Sequence, residues 1–384
     1  MPTTIRRFKI AILLVVAAAA VASRTHTARA RELPTGKTQN VVLITYDGLR
    51  WQEVFGGCDE TLLNREQGGG VRDVTGLKAR FWRETAEMRR EALLPFFWKT
   101  IAARGQVFGD PEHNCRARVT NGRNFSYPGY NEILTEIADE TIDSNAKKNN
   151  HNVTVLEWLH ARPGFAGRVA AYCSWDVFPY IINSQRSRIP VNAGWTPFDV
   201  GYDDVRLAAL NDAVHDSMRV WENVRDDGLT FHGSVEYLKV KRPRILYISF
   251  GETDDWAHEG RYDQVLDSAR RTDGFIERLW DLLQSLPEYA GKTSLVLTTD
   301  HGRGDSRVEW KNHGKDTAGS DRMWIAVMGP DTPATGCRSN LDITQSQVAA
   351  TVAELLGEDY HAAVPQSGAP LPGVVVTSQA SDAR

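Results

Sequence analysis

The sequence is poor in cysteine, with only four in 384 residues. No Cys-x-x-Cys pair occurs, which excludes a zinc ribbon or a thioredoxin-like redox motif. One or two disulfides and buried free thiols are both compatible with such scattered positions, and the sequence favours neither. The four residues are Cys58, Cys115, Cys173 and Cys337.

The start of the chain lacks an apolar run long enough to span a bilayer comfortably. Ile10–Ala22 has only thirteen residues; it follows the cationic Arg6, Arg7 and Lys9 and precedes the small-residue pattern Ala28-Arg29-Ala30. We therefore expect residues 1–30 to be a cleavable signal peptide for export to the periplasm or beyond, with an uncleaved anchor as the alternative. The arginine pair also suggests the twin-arginine route.

The chain has no excess of positive charge, because its formal net charge is −4. The leader contains five basic and no acidic residues, so its removal takes the charge to −9. An acidic surface argues against binding a nucleic-acid backbone, which requires a basic face. An anionic small-molecule substrate must then be attracted locally, for instance by bound metal ions.

No internal repeat and no interdomain linker interrupts the rest of the sequence. Apolar runs typical of buried strands alternate with helical patterns, which predicts an α/β fold with a mostly parallel sheet covered by helices on both faces. We expect one catalytic domain with insertions over residues 31–365 and a loosely ordered tail over 366–384. The main predicted strands are Asn40–Tyr46, Arg168–Cys173, Ile245–Phe250, Ser294–Thr299 and Met323–Met328.

Three of these strands are followed by an aspartate at or just beyond the carboxyl end: Asp47, Asp254 and Asp300. The carboxyl ends of parallel strands lie at one edge of a sheet, where ligands collect in open α/β folds. Unpaired carboxylates gathered there would repel one another and raise one another's pKa. Divalent cations would remove that conflict, so the pattern predicts a metal centre.

Three histidines accompany the aspartates. His258 follows Asp254 by four residues, on the same face of a helical turn; His301 directly follows Asp300, and His313 comes twelve residues later. Each histidine alone fits a surface or helix-cap position, but together they complete a mixed ligand set. Carboxylate and imidazole without thiolate favour zinc, or a similar first-row ion such as manganese, over magnesium or calcium.

A candidate nucleophile lies in the stretch Asn124–Tyr130. Pro128 suits the first turn of a helix, so Ser126 would present its oxygen at the positive end of that helix. A serine oxygen next to a cation is more easily deprotonated. The alternative is that Asn124 or Ser126 is an ordinary N-cap, and the neighbouring metal centre favours the nucleophile.

These residues together resemble the alkaline phosphatase superfamily, particularly its branch of type I phosphodiesterases and nucleotide pyrophosphatases, a group often labelled phosphoglyceromutase-like. The resemblance covers most of the chain in order and implies an alkaline-phosphatase-like fold. Each piece is common, but the ordered set is specific. Its parts are strand-Asp47-Gly48, Ser126–Pro128, Asp254-x-x-x-His258, strand-Asp300-His301-Gly302, His313 and the helix Ala349–Gly357.

The resemblance implies two divalent metal ions and a covalent phosphoserine on Ser126. The ions would clamp both ends of an in-line displacement at phosphorus. Asn145 would contact the phosphate, although an ordinary turn asparagine is the simpler interpretation. One ion would be held by Asp254, His258 and His313, and the other by Asp47, Ser126, Asp300 and His301.

The sequence departs from its relatives near the nucleophile. Serine stands where the pyrophosphatase-type members use threonine, and Gly129-Tyr130 replaces their usual following residues. The Cys-x-Pro-x-Arg signature of sulfatases is absent, because position 130 is tyrosine, which counts against sulfate ester hydrolysis. We expect a hydrolase of phosphate monoesters or diesters. The alternatives are a phosphoryl-transferring mutase of the same superfamily and a non-catalytic metal-binding envelope protein.

Overall fold

Apolar, largely β-branched runs form the strands, because such side chains suit a sheet that is buried on both faces. The computed structural model describes residues 36–66, 68–202 and 205–376, so the predicted signal peptide lies outside the described residues. Within these ranges the strands are β1 (Asn40–Tyr46), β2 (Gln106–Phe108), β3 (Cys115–Arg118), β4 (Val169–Cys173), β5 (Val191–Ala193), β6 (Ile245–Phe250), β7 (Thr293–Thr299), β8 (Ile325–Met328), β9 (Gly336–Cys337) and β10 (Leu341–Thr344).

The α-helices connect these strands and cover the sheet. A π-helical turn at Phe97–Ala102 follows the break that Pro95 introduces. The helices are α1 (Trp51–Gly56), α2 (Val74–Phe81), α3 (Ala86–Leu93), α4 (Ser126–Thr135), α5 (Val155–His160), α6 (Phe178–Ile181), α7 (Ser184–Ser187), α8 (Val205–Asp216), α9 (Asp227–Lys241), α10 (Glu252–His258), α11 (Tyr262–Ser285), α12 (Val348–Leu355) and α13 (Tyr360–Ala363).

The described residues contain an eight-stranded sheet in the order β5-β4-β6-β1-β7-β8-β2-β9. All its paired strands run parallel except β8, which is antiparallel to both β7 and β2. Apolar side chains of α3, α9 and α11 pack on one face, and those of α4, α5 and α12 pack on the other. The predicted α/β class with a mostly parallel sheet and helices on both faces is confirmed.

Two stretches between the main strands differ from the sequence prediction. The amphipathic pattern of residues 205–224 predicts one helix, but α8 ends at Asp216, because Trp221 and Val224 leave the helical path to pack against Trp256 and to pair with Trp175. A separate helix, α9, then begins at a cap that the prediction missed, Asp226, whose carboxylate accepts two backbone N–H groups. The stretch 175–204 is rich in aromatic residues without a clear period, which suggests a substrate-side insertion, and it also contains the edge strand β5.

The C-terminal segment is held more firmly than its composition suggests. Leu371 and Val374 are buried, and the backbone N–H of Leu371 donates to the hydroxyl of Thr351 at 2.8 Å. This corrects the expected loose tail for residues 366–376, while residues 377–384 lie outside the described ranges. The four cysteines are free thiols in this structure, and three of them are buried.

The loop that leads into α4 is fixed by one buried carboxylate. Glu132, fully buried on α4, accepts hydrogen bonds from the backbone N–H and hydroxyl of Thr120 and from the backbone N–H and side-chain amide of Asn121, all between 2.6 and 3.0 Å. These contacts set the path of the chain towards Ser126.

Glu132→Ala is expected to lower the free energy of unfolding by about 3 kcal/mol, because it leaves several buried donors without an acceptor. Denaturant unfolding monitored by circular dichroism measures the change. The matched control is Glu140→Ala, at an exposed position of the following loop, where a change within about 0.5 kcal/mol is expected. Equal stability of the two variants would contradict the role given to Glu132.

Candidate metal centre and active site

The register of the sheet brings three aspartates together. Tyr46, the last residue of β1, is paired with the last residue of β6 on one side and with the last residue of β7 on the other. The chain therefore leaves all three strands at the same level of one sheet edge. Asp47 and Asp300 directly follow β1 and β7, and α10 starts two residues after β6 and carries Asp254 into the same crevice. All three side chains are buried, with exposures of 6%, 0% and 9% respectively.

The first ligand group consists of Asp47, Asp300 and His301, whose ligand atoms lie within 4.8 Å of one another. Nε2 of His301 is 3.5 Å from Oδ1 of Asp47 and 3.4 Å from Oδ2 of Asp300. These three atoms are buried and have no hydrogen-bond partner among the described residues. Buried polar atoms without a partner are rare, and here they face a common point.

The other polar atom of each of these ligands is anchored. The hydroxyl of Tyr130 donates to Oδ2 of Asp47 at 2.9 Å, and the backbone N–H of Gly48 donates to Oδ1 of Asp300 at 3.0 Å. Nδ1 of His301 donates to a backbone carbonyl at 2.9 Å, which leaves a lone pair on Nε2. Such outer contacts orient metal ligands, so these residues fit a divalent cation.

Electrostatics support the same interpretation. Burial, together with the charge of Asp254, raises the pKa of Asp47 well above its usual value, and burial together with Asp47 does the same for Asp300. Charged carboxylates are therefore disfavoured at this edge without a counter-charge. A bound divalent cation would stabilise both in the ionised form that coordination requires.

The second ligand group surrounds Asp254. Nε2 of His258 is 3.2 Å from one carboxylate oxygen of Asp254, and Nε2 of His313 is 3.9 Å from the other. The two Nε2 atoms are only 2.9 Å apart. Burial and the neighbouring His301 lower the pKa of His313 to about 2, so its imidazole is neutral and can coordinate. Its Nδ1 donates to the carbonyl of Asn124, which leaves Nε2 as the ligand atom.

His301 lies between the two groups. Its Nε2 is also 3.7 Å from Asp254, and it satisfies the ligand distances with Asp254 and His313 as well as with Asp47 and Asp300. The sequence assigned His301 to one ion and His258, which is about half exposed, to the other. That division stays a prediction.

Arg303 is a site residue that the sequence analysis missed. It is buried, and one nitrogen of its guanidinium donates to both the carboxylate and the backbone carbonyl of Asp254. Burial raises the pKa of Asp254, but the charge of Arg303 and then the contact with His258 outweigh this effect and hold that pKa well below its ordinary value. The sequence pattern predicted divalent cations as the only counter-charge to the carboxylates and left this arginine out. Its position directly after Asp300-His301-Gly302 was the available signal.

Ser126 begins α4 and lines a cleft of about 340 Å³ together with Asp47, Asp254 and His258. The predicted N-cap role is wrong for both candidates, because Phe125 occupies the cap position and no side chain caps the helix. The Ser126 hydroxyl has no hydrogen-bond partner within the described ranges. It is therefore available for chemistry next to both ligand groups.

The residues after Ser126 explain how α4 comes so close to the ligands. A Cβ atom at Gly129 would overlap the backbone carbonyl of Asp300, so only glycine allows this approach. Tyr130 is fully buried beside it and reaches Asp47. The Gly129-Tyr130 pair, which had stood out only as a departure from related sequences, thus positions the helix and one of the ligands.

Asn145 lies at the rim of the same cleft. Its side-chain oxygen accepts a hydrogen bond from the backbone N–H of Tyr127 at 3.0 Å. The amide nitrogen, which can only donate, is therefore left for the cleft. This orientation suits a contact with a phosphate oxygen.

Comparisons with known proteins identify related chains. A profile of the family described as type I phosphodiesterase / nucleotide pyrophosphatase matches residues 105–368, a range that includes every candidate site residue except Asp47. No curated protein matches the sequence significantly.

Solved structures resemble the fold at low sequence identity. Ps i-CgsB, in complex with k-i-k-neocarrahexaose, is 15% identical with a TM-score of 0.52, over 86% of this chain and 75% of that one. The lipoteichoic acid synthase LtaP from Listeria monocytogenes is 10% identical with a TM-score of 0.52, over 84% and 73%. The phosphonate monoester hydrolase SpPMH from Silicibacter pomeroyi is 13% identical with a TM-score of 0.51, over 90% and 78%.

Tyr130→Phe is expected to weaken metal binding about 10- to 100-fold, because Asp47 loses the hydroxyl that orients it. Titration of metal-stripped protein with zinc measures the change. Tyr127→Phe is the matched control on the same helix, because its hydroxyl donates to the carbonyl of Lys148, away from the ligands. Unchanged zinc affinity of Tyr130→Phe would refute the orienting role.

Proposed function

We propose, because the chain belongs to the type I phosphodiesterase / nucleotide pyrophosphatase family, that it hydrolyses phosphate esters with Ser126 as nucleophile and two divalent metal ions as cofactors. One observation carries the proposal. Three buried ligand atoms without partners, on Asp47, Asp300 and His301, face a common point in a crevice whose adjoining cleft is lined by the unbonded Ser126 hydroxyl. The family description favours a phosphodiester as the substrate.

The donor set fits two ions of borderline softness. Asp47, Asp300 and His301, with Ser126, would hold one ion, and Asp254, His258 and His313 would hold the other. Imidazole and carboxylate donors without thiolate favour zinc, with manganese as the second choice. Bound ions would lower the pKa of hydroxyl groups and neutralise charge that develops on phosphate oxygens.

Residues of the chain then bind the phosphate and carry out the displacement at phosphorus. Asn145 and the N-terminus of α4 hold the anionic phosphate, since helix N-termini favour negative charge. The Ser126 oxygen gives its proton to water and forms a bond to phosphorus while the bond from phosphorus to the alcohol oxygen breaks, and the alcohol leaves with a proton from water. Water then cleaves the bond from the serine oxygen to phosphorus, which restores the serine and releases phosphate from a monoester substrate or a phosphate monoester from a diester.

Arg303 makes the net charge of the proposed site more positive. Three carboxylates and one ionised serine would balance two divalent ions, and the buried guanidinium adds one further positive charge. A phosphate ester would therefore enter a cationic site within an acidic protein. Such focused charge raises the local concentration of an anionic substrate.

The proposal includes export of the enzyme by the predicted signal peptide. None of the helices in the described part of the chain is long and apolar enough to cross a membrane. The substrate would then be a phosphate ester outside the cytoplasm.

Ser126→Ala is expected to reduce turnover of an aryl phosphate diester at least about 10³-fold, because the nucleophilic oxygen is lost. Steady-state kinetics on protein of measured metal content tests this, and the metal content is expected to stay near that of the wild type. Ser144→Ala, at an exposed serine of the Asn145 loop, is the control. Wild-type rates in Ser126→Ala would end the assignment.

Removal of metal with a chelator is expected to abolish turnover, and added zinc is expected to restore it, because the ligand carboxylates need a counter-charge to stay ionised. Elemental analysis before and after chelation, alongside the rates, links the loss to bound metal. Full activity of the metal-free protein would refute the proposal. Magnesium, which prefers oxygen ligands, serves as the comparison ion.

A further inference from the structure

A second cavity of about 500 Å³ lies beside α10, on the side away from the metal ligands. Its size falls in the range of about 300–1,000 Å³ that is common for small-molecule sites. Three tryptophans from separate parts of the chain line it: Trp195, Trp221 and Trp256. Each is only partly buried, so part of each ring is open to a ligand.

The tryptophans are held in place by one another. The indole N–H of Trp195 donates to the backbone carbonyl of Trp221 at 3.0 Å. The rings of Trp221 and Trp256 meet edge to face, with centroids 4.8 Å apart and planes at 72°. Aromatic side chains that are fixed in this way offer contact area at low entropic cost.

Polar groups line the same cavity as the tryptophans. Gln264 of α11 lines the cavity, and its side-chain amide has no hydrogen-bond partner among the described residues. One nitrogen of Arg271 binds Glu252 and Ser268 at the cavity wall, which leaves its other donors available. One carboxylate oxygen of Asp226 accepts the N–H groups at the start of α9, and the second is free to accept.

We infer that this cavity binds a sugar portion of the substrate, so that the enzyme acts on a phosphorylated oligosaccharide. A pyranose ring has C–H groups on its faces, which pack on tryptophan rings, and hydroxyl groups around its edge, which need both donors and acceptors. Gln264, Arg271 and Asp226 supply both kinds of group next to the rings.

The geometry disfavours two other ligands. Trp221 and Trp256 do not form a parallel pair of rings that could sandwich a nucleobase, because their planes are inclined at 72°. A quaternary ammonium group binds over aromatic faces that no other cation occupies. Here the guanidinium of Arg219 already lies 5.3 Å from the centroid of the Trp195 ring.

The cavity adjoins the catalytic cleft across α10. Val224 lines both, and α10 presents Trp256 to the cavity and Asp254 and His258 to the cleft. The two sites are therefore separated by a helix, about 10 Å across. A ligand that fills both must be extended, which fits more than one linked sugar. This inference rests on the proposed function only for the phosphate; the sugar site stands on its own lining.

The test is a titration of the metal-loaded protein with neutral trisaccharides, namely maltotriose, cellotriose and tri-N-acetylchitotriose, followed by tryptophan fluorescence. Saturable quenching by at least one of them is expected. Trp221→Ala should weaken that binding at least about tenfold, because it removes a stacking face while the backbone carbonyl that binds Trp195 remains. Gln264→Ala, a milder change at a partly exposed position, should weaken it severalfold.

Trp158→Phe is the matched control, because Trp158 is partly buried on α5, outside this cavity, against Tyr360; its quenching curve should match the wild type. The absence of quenching by all three sugars, or quenching that Trp221→Ala does not change, would overturn the inference, as would preferential binding of adenosine or choline. Turnover of an aryl phosphate diester is measured in parallel. Turnover without sugar binding would contradict only the sugar site, and sugar binding without turnover would contradict only the proposed phosphate ester hydrolysis.

Discussion

The mutual repulsion of buried carboxylates at one sheet edge is the constraint on which the site depends. Burial raises the pKa of both Asp47 and Asp300, and the charge of Asp254 adds to this effect at Asp47 while the charge of Asp47 adds to it at Asp300. The fold supplies one fixed counter-charge, Arg303, which holds Asp254 in its ionised form. Within the described residues it pairs neither of the other two carboxylates with a lysine or arginine, and both face Nε2 of His301, an arrangement that a divalent cation would stabilise. Stability of this edge would then be coupled to metal binding.

The same edge depends on close backbone packing, because a ligand must be held within a few tenths of an ångström to coordinate. Gly129 lets α4 approach the carbonyl of Asp300, and the side-chain amide of Gln345 donates to that same carbonyl from the other side. Tyr130 then spans from α4 to Asp47. Ser126 and the candidate metal ligands therefore share one scaffold, so displacement of the helix would disturb both.

The sequence was sufficient where a local pattern determines the structure. The strands before Asp47 and Asp300 are buried on both faces, so their apolar runs located them to within a residue, and parallel pairing brought the aspartates together. Tertiary partners left no such pattern. Arg303 looks like an ordinary arginine until its contact with Asp254 is known, and the N-cap alternative for Asn124 or Ser126 is wrong because the helix starts at Ser126 itself, with Phe125 at the cap position.

The candidate metal site and the tryptophan cavity are built from different kinds of segment. The candidate metal ligands come from the ends of β1 and β7, from α10 and, for His313, from the loop after β7. Half of the residues that line the tryptophan cavity come instead from the irregular segments that follow β5 and α8. Loops of this kind can change without disturbing the sheet. If the cavity binds the sugar as we infer, a change in these segments would alter the choice of substrate while α10 keeps the candidate ligands in place.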